Sequence, residues 1–137
     1  MKTIKVSDFS EYPGLRHCDI SDDSGELFYH KILNSEFKKS FENKEKLNLI
    51  LDGTAGYAPS FLDEAIGNLV YDFSILNVKK YLIITSIEEP NLIDSLEKET
   101  YIQWENRRIG KIEPKKTERH SSWWYLDDNG DLKNKTN

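Results

Sequence analysis

LNLILDGTAGYAPSFLDEAIGNL, residues 47–69, is the stretch whose reading decides the fold. LNLILD (47–52) has the length of a short strand and is apolar on both sides apart from Asn48, as a central parallel strand would be. Gly53 to Tyr57 have no regular period, and the two glycines, Gly53 and Gly56, suit backbone turns with positive φ. Beyond them Leu62, Ala65, Ile66, Leu69, Val70 and Phe73 fall on one helical face. Ser60 and Asp63 have the spacing of a capping box, and Pro59 fixes the entry, so the helix is expected to open with Ser60 as its N-cap.

Working outward, KKYLIITS (79–86) is a second apolar run, and strand, helix, strand in this order is a βαβ unit. On the N-terminal side, SGELFYHKILNSEFKKSFENKEK (24–46) repeats its apolar residues at three-, four- and five-residue steps. It predicts an amphipathic helix capped by Ser24, with Glu26 in the positive first turn and a break near Asn34–Ser35. TIKVSDF (3–9) reads as a half-exposed opening strand, and EYPGLRHCDISDD as a loop. NLIDSLEKETYIQWENRR predicts a last helix capped by Asn91. Residues 1–109 thus form one α/β domain. After Gly110, KIEPKKTERHSS reads as a charged, solvated linker, and the Asn-Gly of WWYLDDNGDL predicts an aromatic hairpin or tail over the rest of 110–137.

Composition narrows the function. A chain of 137 residues suits one hydrophobic core, and its net charge of −5 argues against nucleic acid and anionic membrane as partners. One cysteine, Cys18, excludes an internal disulfide framework, and three histidines without paired spacing give no zinc motif. MKTIKVSDFS lacks the apolar core of a signal peptide and no run approaches a membrane span, so a cytoplasmic location is expected.

The candidate sites divide by chemistry. Gly53-Thr54-Ala55-Gly56 lacks the Lys-Ser/Thr ending of a P-loop. Asp52, Glu88 and Glu89 are expected at the carboxyl edge of neighbouring strands, where such sheets bind ligands, and either hold a metal such as magnesium or cap the local loops. Arg107, Arg108, Lys111, Lys115, Lys116 and Arg119 lie between Trp104 and the Trp123-Trp124-Tyr125 triplet, an interleaving that can bind single strands but that reads here as a solvated linker. Three adjacent aromatics cannot all face one core, so the triplet is expected at a partner or homodimer contact. Ser60 is a capping or modifiable hydroxyl, since no histidine lies near it in sequence to act as a base.

The chain resembles the STAS-like family of bacterial domains of unknown function. The resemblance is carried by Asp8-Phe9-Ser10, Tyr12-Pro13-Gly14-Leu15-Arg16, Ser24-Gly25-Glu26-Leu27-Phe28, Leu51-Asp52-Gly53-Thr54, Gly56-Tyr57, Ser60-Phe61-Leu62-Asp63-Glu64-Ala65 and Ser86-Ile87-Glu88-Glu89-Pro90. It spans roughly residues 3–105. It implies an α/β fold like that of anti-sigma-factor antagonists, a mixed sheet with helices packed on it. In those relatives a serine of an Asp-Ser-Ser-Gly loop before the second helix is phosphorylated by a histidine-kinase-like ATPase, and phosphorylation switches partner binding. Counting from Asp52, Ser60 falls at the motif's Asp and Phe61 at its phosphorylated serine, while a shift of one residue returns Ser60 to that site.

The resulting expectation is a non-enzymatic interaction and regulatory domain without cofactor or metal. Its partner-binding residues would be Thr54, Gly56, Tyr57, Ser60, Phe61, Trp123, Trp124 and Tyr125, with Ser60 the phosphorylation candidate. The competing readings are a small nucleotide- or metal-binding enzyme using the strand-end acids, or a nucleic-acid-binding accessory factor of a phage or defence system.

Overall fold

The computed structural model describes residues 1–137. Three parallel strands, β1 (Lys2–Lys5), β2 (Leu47–Ile50) and β3 (Leu82–Thr85), form one sheet in the order β1-β2-β3. Thr3, Asn48 and Ile83 lie in one row and Ile4, Leu49 and Ile84 in the next. The α/β class is as expected, and β2 is the central strand. Leu47 and Leu49 are fully buried, but Asn48 and Ile50 are half-buried, so only one face of the sheet is closed by helices. On the open face Thr85 donates its hydroxyl to Asn48 Oδ1 at 2.8 Å.

The opening strand is shorter than TIKVSDF suggests. Val6–Phe9 forms a single helical turn, α1. The reason is geometric: Val6 and Phe9 share a side in a helix but point oppositely in a strand. In the turn Val6 is buried, and Phe9 packs edge-on against Phe28 at 5.3 Å.

The next helix, α2, runs through residues 25–43 as α-helix Gly25–Phe28, π turn Tyr29–Leu33 and α-helix Asn34–Asn43. Ser24 caps it as expected, accepting from the Leu27 N–H at 3.0 Å. The chain does not break at Asn34. Instead the π turn lets Phe28, Leu33 and Phe37 all reach the core across a five-residue step that a regular helix would rotate away.

The central helix, α3 (Pro59–Phe73), is buried nearly all round. Two close approaches fix its neighbours. A Cβ on Gly67 would lie 2.1 Å from the Trp104 ring, and one on Gly25 would lie 2.3 Å from the Phe61 carbonyl oxygen. A short helix, α4 (Ile75–Tyr81), follows at once, because Ser74 turns the chain at φ 77° and accepts from the Asn77 N–H. Lys79, Lys80 and Tyr81 are therefore helical rather than part of the strand.

The last helix, α5, covers residues 91–109 as α-helix Asn91–Ser95, π turn Leu96–Thr100 and α-helix Tyr101–Ile109. Its N-cap is Pro90, not Asn91. Here too the π turn bridges a five-residue step, from Leu96 to Tyr101. The chain ends in the predicted hairpin, β4 (Trp123–Leu126) and β5 (Leu132–Lys135), paired antiparallel and separate from the main sheet. Asp127 organises the turn by accepting the Asn129 and Asp131 N–H groups, and Gly130 supplies φ +80°.

Candidate functional site

The carboxyl edge of β2 and β3 carries the loop picked out by sequence. Gly53 at φ +90° and Gly56 at φ +129° supply its left-handed turns. Asp52 accepts the Ile87 and Glu88 N–H groups at 2.9 and 2.8 Å, and Glu88 accepts the Gly53 N–H at 2.6 Å. These two acids lock the loops after β2 and β3 to each other. The cavity between the loops is only 60 Å³ and includes Thr54, Tyr57, Glu89 and Leu92 in its wall. That is room for water, not for a nucleotide, since ligand sites occupy roughly 300 Å³ or more. Tyr57 is half-buried and donates to the Leu51 carbonyl at 2.6 Å. Burial pushes its hydroxyl up to about 12, with Thr54 opposing and Asp52, Glu89 and Glu88 adding to the rise.

Ser60 occupies the second position of α3, not its cap. The cap is Ala58, which has no side chain to offer, and Pro59 opens the helix. Ser60 stays partly accessible at this uncapped tip, while Phe61 is fully buried against Phe28 and Phe9. Of these two neighbours, only Ser60 is accessible. Asp63 does not cap the helix either. It takes Arg16 at 2.7 Å and the Thr100 hydroxyl at 2.9 Å, and Glu64 shares the same guanidinium at 3.1 Å. Arg16 thus offsets part of the negative charge behind Ser60, one guanidinium against two carboxylates.

A second constellation lies deeper. Glu64, Asn68 and Asp72 recur every four residues and draw a buried polar line along α3. Asn68 donates to Glu64 and accepts Lys116 at 2.9 Å, and Asp72 takes Lys135 at 2.8 Å and the Tyr29 hydroxyl. Burial pushes the Asp72 carboxyl up, with Lys135 and Tyr29 pulling against it. Burial also lifts the Tyr29 hydroxyl well above its ordinary value, and Asp72 adds to that.

At the end of this line sits Glu26, wholly enclosed. It accepts the Thr117 hydroxyl and N–H at 2.6 and 2.9 Å, the Cys18 N–H at 3.1 Å and His120 Nε2 at 2.6 Å. Burial alone would raise the Glu26 carboxyl, yet the bonds from Thr117, His120 and Cys18 pull it down to about 2. Beside it, burial drives the Cys18 thiol up to about 12; Ser24 opposes this and Glu26 and Glu118 reinforce it.

The family model described as a STAS-like domain of unknown function (DUF4325) matches residues 24–92, half of the chain. The chain belongs to this family. No curated protein and no solved structure matches it. The matched segment runs from the Ser24 cap of α2 to the start of α5, so it holds the 53–60 loop and the whole of α3, and it leaves out β1 and the C-terminal tail.

In this STAS-like domain the tail is part of the packing. Residues 110–122 have no regular structure and are mostly exposed, as their charge pattern implies, but a few of them tie the segment to the domain. Pro114 is buried, Lys116 reaches Asn68, and Thr117 and His120 close over Glu26. The aromatic triplet also turns inward. Trp123 is only 4 % exposed. Trp124 exchanges two backbone hydrogen bonds with the Asn34 side chain, at 2.9 Å each, and lies under Lys38. Tyr125 is covered by Lys135 at 4.8 Å. The alternation that should expose one ring is met instead by cations laid over the outer faces. Part of the basic stretch is similarly engaged: Arg107 lies over Trp104 at 4.2 Å and Arg108 pairs with Glu105 at 2.7 Å, while Lys111, Lys115 and Arg119 are exposed. No helix is long and apolar enough to cross a membrane.

Sequence reasoning missed the Glu26 cluster. Its members come from positions 17–26 and 116–120, and no spacing pattern joins them. The one available signal was the acid-amide-acid period of Glu64, Asn68 and Asp72 on a helix otherwise apolar all round, which needed a polar cover.

Proposed function

We propose that this STAS-like domain is a non-enzymatic regulatory module that docks a protein partner through the surface made by Thr54, Gly56, Tyr57 and the first turn of α3. Phosphorylation of Ser60 would switch that docking, and a histidine-kinase-like ATPase is the partner class the family resemblance favours. The observation that carries the reading is the uncapped, accessible tip of α3 with Ser60 at its second position. The positive end of the helix dipole favours a phosphate there, and a dianion added to a docking face changes its complementarity. The pairing of Asp63 and Glu64 with Arg16 lowers the repulsion such a phosphate would meet.

The enzyme reading finds less support. Asp52 and Glu88 are committed to backbone N–H groups, and the cavity beside them is too small for a substrate. Trp123, Trp124 and Tyr125 contribute to this domain's own packing, so the proposed docking face is drawn without them.

The test is affinity purification from the source cell with wild type, Ser60→Ala and Ser60→Glu, together with phosphopeptide mapping. A partner kept by the alanine variant and lost by the glutamate variant, with phosphate found on Ser60, supports the reading. Identical partners for all three proteins and no phosphate at Ser60 would overturn the switch.

A further inference from the structure

Cys18, Glu118 and His120 come from two segments a hundred residues apart, yet their ligand atoms all lie within 4.8 Å of one another. Ligand atoms around a tetrahedral zinc are roughly 3.5 Å apart, so a contraction of about one ångström would close the set. Glu118 is exposed and free to make it. We propose that this cluster is a transition-metal site of the zinc class, with Cys18 Sγ, a Glu118 carboxylate oxygen and a His120 ring nitrogen as protein ligands and a fourth position open to water.

A second, independent observation concerns the histidine. Glu26, fully buried, takes His120 Nε2 at 2.6 Å, which commits that nitrogen as donor and leaves the lone pair on Nδ1. A carboxylate behind a ligating imidazole, fixing its tautomer and ring orientation, is the usual support of a protein zinc ligand. The ring is held on its face as well, stacked on His30 at 3.9 Å with planes 10° apart. Glu26 itself is saturated by Thr117, Cys18 and His120, so it acts as the positioning residue and not as a ligand.

The ligand set also selects the ion. Thiolate with imidazole suits zinc over magnesium or calcium, which prefer all-oxygen shells. Bound there, the ion would join the loop at Cys18 to the strap at residues 118–120. It would therefore staple the tail, which lies outside the family-matched segment, onto the N-cap of α2. The inference does not depend on the proposed docking function.

The test uses the full chain, stripped with chelator and titrated with Zn²⁺ and, for spectroscopy, Co²⁺. One ion per chain is expected, with thiolate-to-cobalt charge-transfer absorption and a tetrahedral visible spectrum. Cys18→Ser should abolish the charge-transfer band. Glu118→Ala, at an exposed position, should keep the fold and weaken binding by ten-fold or more. Zn²⁺ should raise the melting temperature of wild type and slow hydrogen exchange in residues 117–120, and Mg²⁺ should do neither. Absence of stoichiometric binding, or a cobalt spectrum without sulfur character, or one unchanged in Cys18→Ser, would overturn the proposal.

Discussion

Replacing Glu26 with Gln tests how the tail is held. The change keeps the side chain's shape, removes its charge and turns one oxygen into an NH₂ donor. Neither orientation of the amide can be satisfied. Placed at Oε1, the NH₂ meets the Cys18 N–H; placed at Oε2, it meets the Thr117 N–H and His120 Nε2. A buried N–H left without an acceptor costs about 1–3 kcal/mol. The fall of the Glu26 carboxyl from 4.5 to about 2 corresponds to stabilisation on the order of 3 kcal/mol. The two figures overlap in what they count, so the expected loss is about 3 kcal/mol. In a chain of this size that lowers the melting temperature by roughly 10 °C. Urea unfolding at neutral pH reads the free energy, and hydrogen exchange reads where it is lost. Exchange should rise first in residues 113–122 and at Trp124, with trypsin cutting after Lys115, Lys116 and Arg119. A Gln variant within about 0.5 kcal/mol of wild type, with the strap equally protected, would refute the argument that this carboxylate anchors the tail.

The same carboxylate sets a pH dependence. Its folded value is depressed, so its contribution is complete above the unfolded value of 4.5 and is lost as pH falls toward about 2. Wild type should lose stability across that window more steeply than Glu26→Gln, as followed by denaturant titration. Gly67→Ala places a methyl group on the Trp104 ring and should cost about 3 kcal/mol or more by forcing α3 and α5 apart, with a matching change in tryptophan fluorescence. Asp52→Ala removes the acceptor for two backbone N–H groups and should cost about 1–2 kcal/mol, with faster exchange at Ile87 and Glu88 in particular.

The parts of the fold that follow a period were legible. LNLILD and the helix after it declared a central strand and a buried helix, because apolar spacing is dictated by which face meets the core. The five-residue step from Phe28 to Leu33 was visible too, but it marked a π turn rather than a break, and a second π turn spans Leu96 to Tyr101. Helix ends were read less well. Ser60 with Asp63 looked like a capping box, yet Asp63 was drawn to Arg16, which arrives from forty-seven residues away. The same limit hid the tail's role. A charged run such as KIEPKKTERHSS looks like a linker unless one knows that Glu26, Asn68 and Asp72 wait as buried partners for Thr117, Lys116 and Lys135. Those pairings are set by tertiary proximity and leave no mark in the spacing of the tail itself.

The docking surface can be interrogated directly with a photo-crosslinking amino acid placed in cells at Ala55, which is exposed on the 53–57 loop, and at Lys39, which is exposed on α2. Crosslinks to one protein species from position 55, absent from position 39 and diminished by Ser60→Glu, are the predicted result. A partner captured from position 39 alone, or from position 55 with equal yield whatever residue stands at 60, would contradict the assignment.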